Sequence, residues 1–174
     1  SGSGKSTVLK IISGLEKNDK NEGYSVVLDG KRIDGLSPSK REIGMIFQSG
    51  ALFDHMNVVQ NVAYGLITKG EKRKTAIEKA SRYLGEFGLD GFDKRLPGTL
   101  SGGERQRVAL ARTLITCPKL VLMDEPLSAL DAELRLKLGD QIRSWQKELG
   151  FTAIMVTHDM AEAERMSDRI IGLN

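Results

Sequence analysis

LVLMDEPLSALD, residues Leu120–Asp131, runs four unbroken apolar residues into two adjacent carboxylates. A short continuous apolar run such as Leu120 to Met123 fits a strand buried on both faces, as in a parallel sheet. Pro126 stops the run, and Leu127 to Asp131 turns the chain away. Open α/β sheets gather their chemistry beyond the carboxyl ends of such strands. Asp124 and Glu125 emerge there side by side, which is costly unless a cation or a polar substrate meets them. An isolated Asp-Glu pair also serves as a helix start, so the neighbouring segments have to separate the two readings.

Downstream, Ala132 to Leu149 has the period of a long amphipathic helix that ends at Gly150. Phe151 to Thr157 (FTAIMVT) reads as another buried strand and delivers His158 and Asp159 at its exit. Met160 to Met166 reads as a short helix and Asp168 to Leu173 as a last apolar strand. Upstream, Ile43 to Phe47 (IGMIF) is a buried strand that ends at Gln48. Polar groups therefore stand at three strand exits: Gln48, Asp124 with Glu125, and His158.

Two glycine-containing helix starts accompany them. SGSGKST (Ser1–Thr7) leads into Val8, Leu9, Ile11, Ile12 and Leu15 at helical spacing. Gly4, Lys5 and Ser6 match the second half of the phosphate-loop pattern, whose first glycine falls two positions before Ser1. Small residues at Ser1, Gly2, Ser3 and Gly4 let backbone N–H groups approach phosphates at a helix N-terminus. Lys5 is then placed to reach the β- and γ-phosphates, and the Ser6 hydroxyl to ligate Mg²⁺. In LSGGERQRVALAR (Leu100–Arg112), Ser101 and Glu104 form a capping box. Gly102 and Gly103 are not explained by capping, because glycine in a first turn lowers helix propensity. Bare backbone at a helix start suits close approach to a second phosphate.

The remaining segments are plainer. Ser25 to Leu28 reads as a strand turned by Asp29-Gly30, with Tyr24 packing at its edge. Leu36 to Arg41 reads as a loop around Pro38. Val58, Val62, Leu66, Ala76, Ile77, Ala80, Leu84 and Phe87 follow helical periods. Lys69 to Lys74 (KGEKRK) reads as a solvated turn, and His55 as a structural residue.

Composition narrows the classes. The 174 residues suffice for one domain with a core, and 40% hydrophobic with 28% charged residues is ordinary globular usage. A net charge of +3 gives no ground for nucleic-acid binding. One cysteine, Cys117, excludes an internal disulfide and reads as a small filler. No apolar run approaches the ~20 residues of a membrane span. The chain starts at Ser1 inside a motif, so it reads as a fragment.

Together these motifs resemble the ATP-binding subunits of ABC (ATP-binding cassette) transporters over essentially the whole chain. Ser1 to Thr7 matches the phosphate loop, Gln48 the Q-loop and Leu100 to Glu104 the signature motif. Leu120 to Glu125 matches the Walker B strand, Ser128 to Asp131 the D-loop and His158 the H-loop. The resemblance implies an α/β P-loop NTPase core with a mostly parallel sheet and an inserted α-helical subdomain. It also implies that N-terminal strands of that core are missing and that the isolated piece has low stability. Residues 1–48 and 100–174 are the expected catalytic core, and 49–99 the helical subdomain.

It further implies ATP and Mg²⁺ as ligands. Ser1, Gly2, Ser3, Gly4, Lys5, Ser6 and Thr7 hold ATP in cis, while Ser101, Gly102 and Gly103 touch it in trans. Ser6, Gln48 and Asp124 hold Mg²⁺. Glu125 is the general base, His158 contacts the γ-phosphate and the water, and Asp131 couples the two sites of a head-to-tail dimer. Expected partners are a second ATP-binding subunit, membrane permease subunits docking near Gln48 to Asn57, and an extracytoplasmic solute-binding protein. The expected location is peripheral, at the cytoplasmic face of the membrane, with no nucleic acid involved.

Phe47 to Leu66 is similar to importer ATPases that serve polyamines, ferric iron, sulfate or related solutes, and Met123 to Arg135 points the same way. That group usually has Pro before His where this chain has Asp54 before His55. The alternatives are a soluble ABC ATPase of iron–sulfur assembly or DNA repair, and an exporter of lipid or lipoprotein. The compact segment between Gln48 and the signature argues against the repair class, which usually carries long insertions there.

Overall fold

Three parallel strands, in the order β3-β4-β5, form the centre of the molecule. They are β3 (Ile43–Ile46), β4 (Leu120–Asp124) and β5 (Thr152–Val156). Their register aligns Ile46, Met123 and Met155, so the strand exits lie side by side. The structure, a computed structural model, describes residues 4–17 and 25–172. The expectations for Ser1, Gly2, Ser3, Tyr24 and Leu173 lie outside the described residues.

The middle strand behaves as its apolar run requires, with Leu120 to Met123 all buried. Successive side chains on a strand point to opposite faces. Val121 and Met123 join a large apolar cluster built with α2 (Val58–Thr68), α3 (Arg73–Glu86), α4 (Gly102–Leu114) and α5 (Ala132–Leu149). Leu120 and Leu122 join a small one with Leu9 of α1 (Lys5–Ser13). The ring of Phe87, just past α3, lies 4.3 Å from that of Trp145 on α5, centroid to centroid, and ties the helical layer to α5.

Local chemistry sets the ends of these elements. Asp29 (φ 49°) and Gly30 (φ 74°) make the expected turn between β1 (Val27–Leu28) and β2 (Lys31–Arg32). Two left-handed residues suit the twist of a two-residue hairpin. The long helix spans Ala132–Leu149, with Asp131 capping its start and Gly150 closing it in the left-handed conformation. α6 (Met160–Met166) matches the short helix read from the sequence.

Several readings need correction. No strand forms among residues 168–172, and Ile171 is 70% exposed. A strand needs a neighbour to bond with, and none lies beside this stretch among the described residues. β5 forms but is not a buried strand: Thr152, Ala153 and Ile154 are exposed, and among the described residues β5 pairs only with β4. Cys117 is exposed at a φ of 49°, so it occupies a turn and fills no core space. The solvated Lys69–Lys74 turn is shorter than read, since α3 begins at Arg73. Within the loop around Pro38 lies a 3₁₀ turn, Pro38–Lys40, followed by a buried arginine.

That arginine, Arg41, fastens α1. Its guanidinium donates to the carbonyls of Ile11 and Ile12 at 2.8 Å each, of Asp34 at 2.8 Å and of Leu36 at 3.0 Å. The last carbonyls of a helix lack intrahelical partners, and Arg41 supplies donors to them. Any side chain at Gly14 would place its Cβ 2.6 Å from the Arg41 Nε, so glycine there makes room for the guanidinium.

Candidate functional site

The aligned exits of β3, β4 and β5 bring the polar candidates together. Asp124 ends β4, and its Oδ1 accepts a 2.8 Å hydrogen bond from the Ser6 hydroxyl in the first turn of α1. This bond joins the phosphate-loop remnant to the acidic strand across 118 residues. α1 starts at Gly4 in the left-handed conformation (φ 74°) without a side-chain cap. Its first N–H groups are therefore free to meet an anion. Lys5 is half-buried and has no hydrogen bond or ion pair among the described residues. Thr7 is exposed.

Glu125 carries backbone strain. Its φ is 45°, a left-handed value that costs a side chain-bearing residue about 1–2 kcal/mol. Three bonds hold it there: its N–H donates to the Val156 carbonyl at 2.9 Å, and its carbonyl accepts from the Ser128 hydroxyl at 3.0 Å and from the Ser128 N–H at 3.3 Å. Ser128 also accepts from Gln48 Nε2 at 3.0 Å, so Gln48 is tied to the turn that shapes Glu125. The Glu125 carboxylate Oε1 lies 3.4 Å from His158 Nδ1. The His158 side chain is 70% exposed and that of Glu125 27%, so the pair faces an open surface.

The signature segment stands apart from this group. Ser101 and Glu104 form the expected capping box, with Ser101 N–H donating to Glu104 Oε2 at 2.7 Å and Glu104 N–H to Ser101 Oγ at 3.3 Å. Accepting the Ser101 N–H holds the Glu104 carboxyl below its ordinary range. No hydrogen bond or ion pair among the described residues joins Ser101, Gly102 or Gly103 to Lys5, Ser6, Asp124, Glu125 or His158. The two glycines differ. A Cβ on Gly103 would lie 2.5 Å from Leu134 Cδ2, so packing against α5 already calls for glycine. Gly102 is exposed, and a Cβ there would come no closer than 3.7 Å to Leu130. Only Gly102 is left without an intramolecular reason. Asp131 is exposed and accepts from the Leu134 N–H at 3.0 Å as the cap of α5.

Residues 50–57 form a second candidate surface. A groove of about 500 Å³ opens beside them, lined by Met45, Phe47, Phe53, Tyr64, Arg112 and Thr116 among others. Two polar residues passed over in the sequence shape it. Asn61, fully buried, accepts from Phe53 N–H and donates to the carbonyls of Phe53, Met56 and Asn57. Arg112 donates to the carbonyls of Ala51 at 2.8 Å and Gly50 at 3.1 Å, and lies over the Phe53 ring. Polar residues at apolar helical positions, Asn61 beside Val58 and Val62, were the available signal. His55 is exposed near Phe53, with ring centroids 6.1 Å apart.

The donor set fits Mg²⁺. A hydroxyl (Ser6), a carboxylate (Asp124) and an amide oxygen (Gln48) are the oxygen ligands this ion takes, with water and phosphate completing its shell. The 2.8 Å Ser6–Asp124 contact puts two of them together.

Comparison with known proteins agrees with these assignments of type. Residues 1–128 match the family model described as ABC transporter. Over 171 residues the chain is 49% identical to the Fe(3+) ions import ATP-binding protein FbpC 1 of Rhizobium meliloti (strain 1021). It is 47% identical to the Fe(3+) ions import ATP-binding protein FbpC of Brucella abortus (strain 2308). Each alignment covers 98% of this chain and 48% of the relative, so the chain spans about half the length of the curated relatives it matches. A solved ATP-binding cassette, dimeric and bound to ADP and Pi in a post-hydrolysis state, superposes with a TM-score of 0.80 at 32% identity. That superposition covers 95% of this chain and 74% of the other.

Proposed function

The chain belongs to the ABC transporter family, and from that premise we propose that it binds and hydrolyses ATP to power import of a solute across a membrane. The convergence of Ser6, Asp124, Glu125 and His158 at the strand exits carries this reading. The Fe(3+) import role of its relatives makes ferric iron the solute we propose, ahead of the exporter and soluble alternatives.

In the proposed mechanism, the backbone from Gly2 to Thr7 and the Lys5 ammonium bind the phosphates of ATP. Ser6, Gln48 and Asp124 would hold Mg²⁺, which would supply charge neutralisation to the phosphates when bound. Glu125 takes a proton from a water whose oxygen attacks the γ-phosphorus as the bond to the β-phosphate oxygen breaks, leaving ADP and phosphate. His158 orients that water and the γ-phosphate. Ser101, Gly102 and Gly103, at the capped start of α4, bind the γ-phosphate held by a second copy. Asp131 couples the paired sites. Most of the rate comes from positioning and charge stabilisation.

Residues 49–99 serve as the helical subdomain in this scheme, and 1–48 with 100–174 as the catalytic core. Permease subunits dock in the groove beside Gln48 to Asn57, and an extracytoplasmic solute-binding protein completes the importer. No helix among the described residues is long and apolar enough to cross a membrane. Docking on permease subunits makes the proposed location peripheral, at the cytoplasmic face.

Light scattering on the full-length protein with Glu125→Gln tests the paired arrangement. Mg-ATP is expected to convert monomer to dimer. A monomer that demonstrably holds ATP, in the presence of its permease as well as alone, would overturn the shared site.

A further inference from the structure

Little besides Glu125 positions the His158 side chain, since it is 70% exposed and its one ion-pair neighbour among the described residues is 3.4 Å away. Its placement must come from the backbone on either side. Thr157 and Asp159 are both pinned: Asp159 N–H donates to Thr157 Oγ1 at 3.1 Å, and the Thr157 hydroxyl donates to Glu162 Oε2 at 2.7 Å. Asp159 Oδ1 accepts from Glu162 N–H at 3.1 Å and caps α6. The other Asp159 oxygen, Oδ2, faces Arg135 Nη1 at 3.5 Å. Arg135 Nη2 donates at 2.9 Å to the carbonyl of Leu130, the residue before Asp131.

We infer that Arg135 is a positioning residue that carries the placement of the Leu130–Asp131 segment to His158 and so sets the His158–Glu125 geometry. A guanidinium fork suits this task, because its planar donors bind two acceptors in fixed relative geometry. Among the described residues, Arg135 Nε and Glu162 Oε1, on the two side chains that meet Asp159, are buried without hydrogen-bond partners. The segment that Arg135 reads is the one that a second copy touches through Asp131. Arg135 thus makes hydrolysis at one site depend on how the chain's own Leu130–Asp131 turn is held by its partner. This rests on the ATPase reading above.

The test is a double-mutant cycle on ATP turnover by the full-length protein assembled with its permease. Arg135→Met is expected to lower kcat about tenfold, less than the ~10²-fold cost of a 1 Å misplacement of a reacting group. KM for ATP should stay within about twofold, since no nucleotide contact is lost. Asp159→Asn, which keeps a capping oxygen, should lower kcat as well. Combining the two should be no worse than the poorer single variant, because residues acting as one unit are non-additive. Arg135→Lys should fall between, keeping a charge opposite Asp159 but losing the fork. A merely structural role would move melting temperature and active fraction, with the two losses multiplying. Multiplying losses, a rise in KM at constant kcat, or wild-type turnover in Arg135→Met would overturn the inference. If Arg135→Met does not fold, Arg135→Lys with Asp159→Asn runs the same cycle, and wild-type kcat in Arg135→Lys overturns it. No hydrolysis by the unmutated assembly would instead remove the ATPase reading itself.

Discussion

Val121 and Met123 on one face of β4 meet a cluster drawn from α2, α3, α4 and α5, while Leu120 and Leu122 on the other meet Leu9 and a few partly buried neighbours. The proposed phosphate-handling helix α1 lies on the thin side, and the proposed signature helix α4 on the thick side. The contrast separates two ways of placing a functional group. α4 is located chiefly by apolar burial, whereas α1 adds to the buried Leu9 a set of polar bonds, from Arg41 at its end and from Asp124 at its start. Burial is non-directional and scales with area. Hydrogen bonds are directional and break one at a time.

A cut on the thick side should cost stability first. Phe87 is 1% exposed and packs on Tyr83 and Trp145. Phe87→Ala should lose about 3–5 kcal/mol in urea unfolding of the full-length protein. Turnover per folded molecule should hold within about twofold; loss of turnover at low denaturant would break the separation. Glu125→Gln is the converse, with hydrolysis down about 10²-fold, ATP binding retained and stability unchanged. A fluorescent-nucleotide titration beside a phosphate-release assay checks both halves.

Arg41→Met should cost about 2 kcal/mol, because it strands carbonyls that the guanidinium now satisfies. It should also weaken nucleotide binding by loosening α1, and unchanged affinity would show that apolar contacts alone hold that helix. Ser101→Ala should remove about 1 kcal/mol of capping. The smallest effect concerns pH. The folded Glu104 carboxyl is held below its ordinary value, so its stabilisation is full above the unfolded value of about 4.3. That contribution fades as pH falls through the lowered folded value. Glu104→Gln should flatten this acid limb of the unfolding profile.

Regular patterns were legible in the sequence and side chain-to-backbone bonds were not. The Leu120–Met123 run, the Asp29-Gly30 turn, the Ser101–Glu104 box and the limits of α5 and α6 each follow from local rules. Arg41, Asn61 and Arg112 act on carbonyls up to 62 residues away; Asn61 shows itself only as a polar residue at an apolar helical position, and no spacing announces the two arginines. Gly103 has a second reason to be glycine that the sequence did not show, the approach of Leu134 to its Cα. The placement of Gln48, Asp124, Glu125 and His158 at or just past strand exits was legible too. The Ser128 link and the Arg135 brace were not, because each depends on where two turns meet. Residues 168–172 failed as a strand because apolar character does not itself provide a pairing neighbour.

The chain has one tryptophan, and it is Trp145, stacked at 4.3 Å on Phe87. Its emission is therefore a built-in optical gauge of the contact between the helical layer and α5. Steady emission through a catalytic cycle means that the contact travels as a unit, and a change in intensity or wavelength times its opening without any added label.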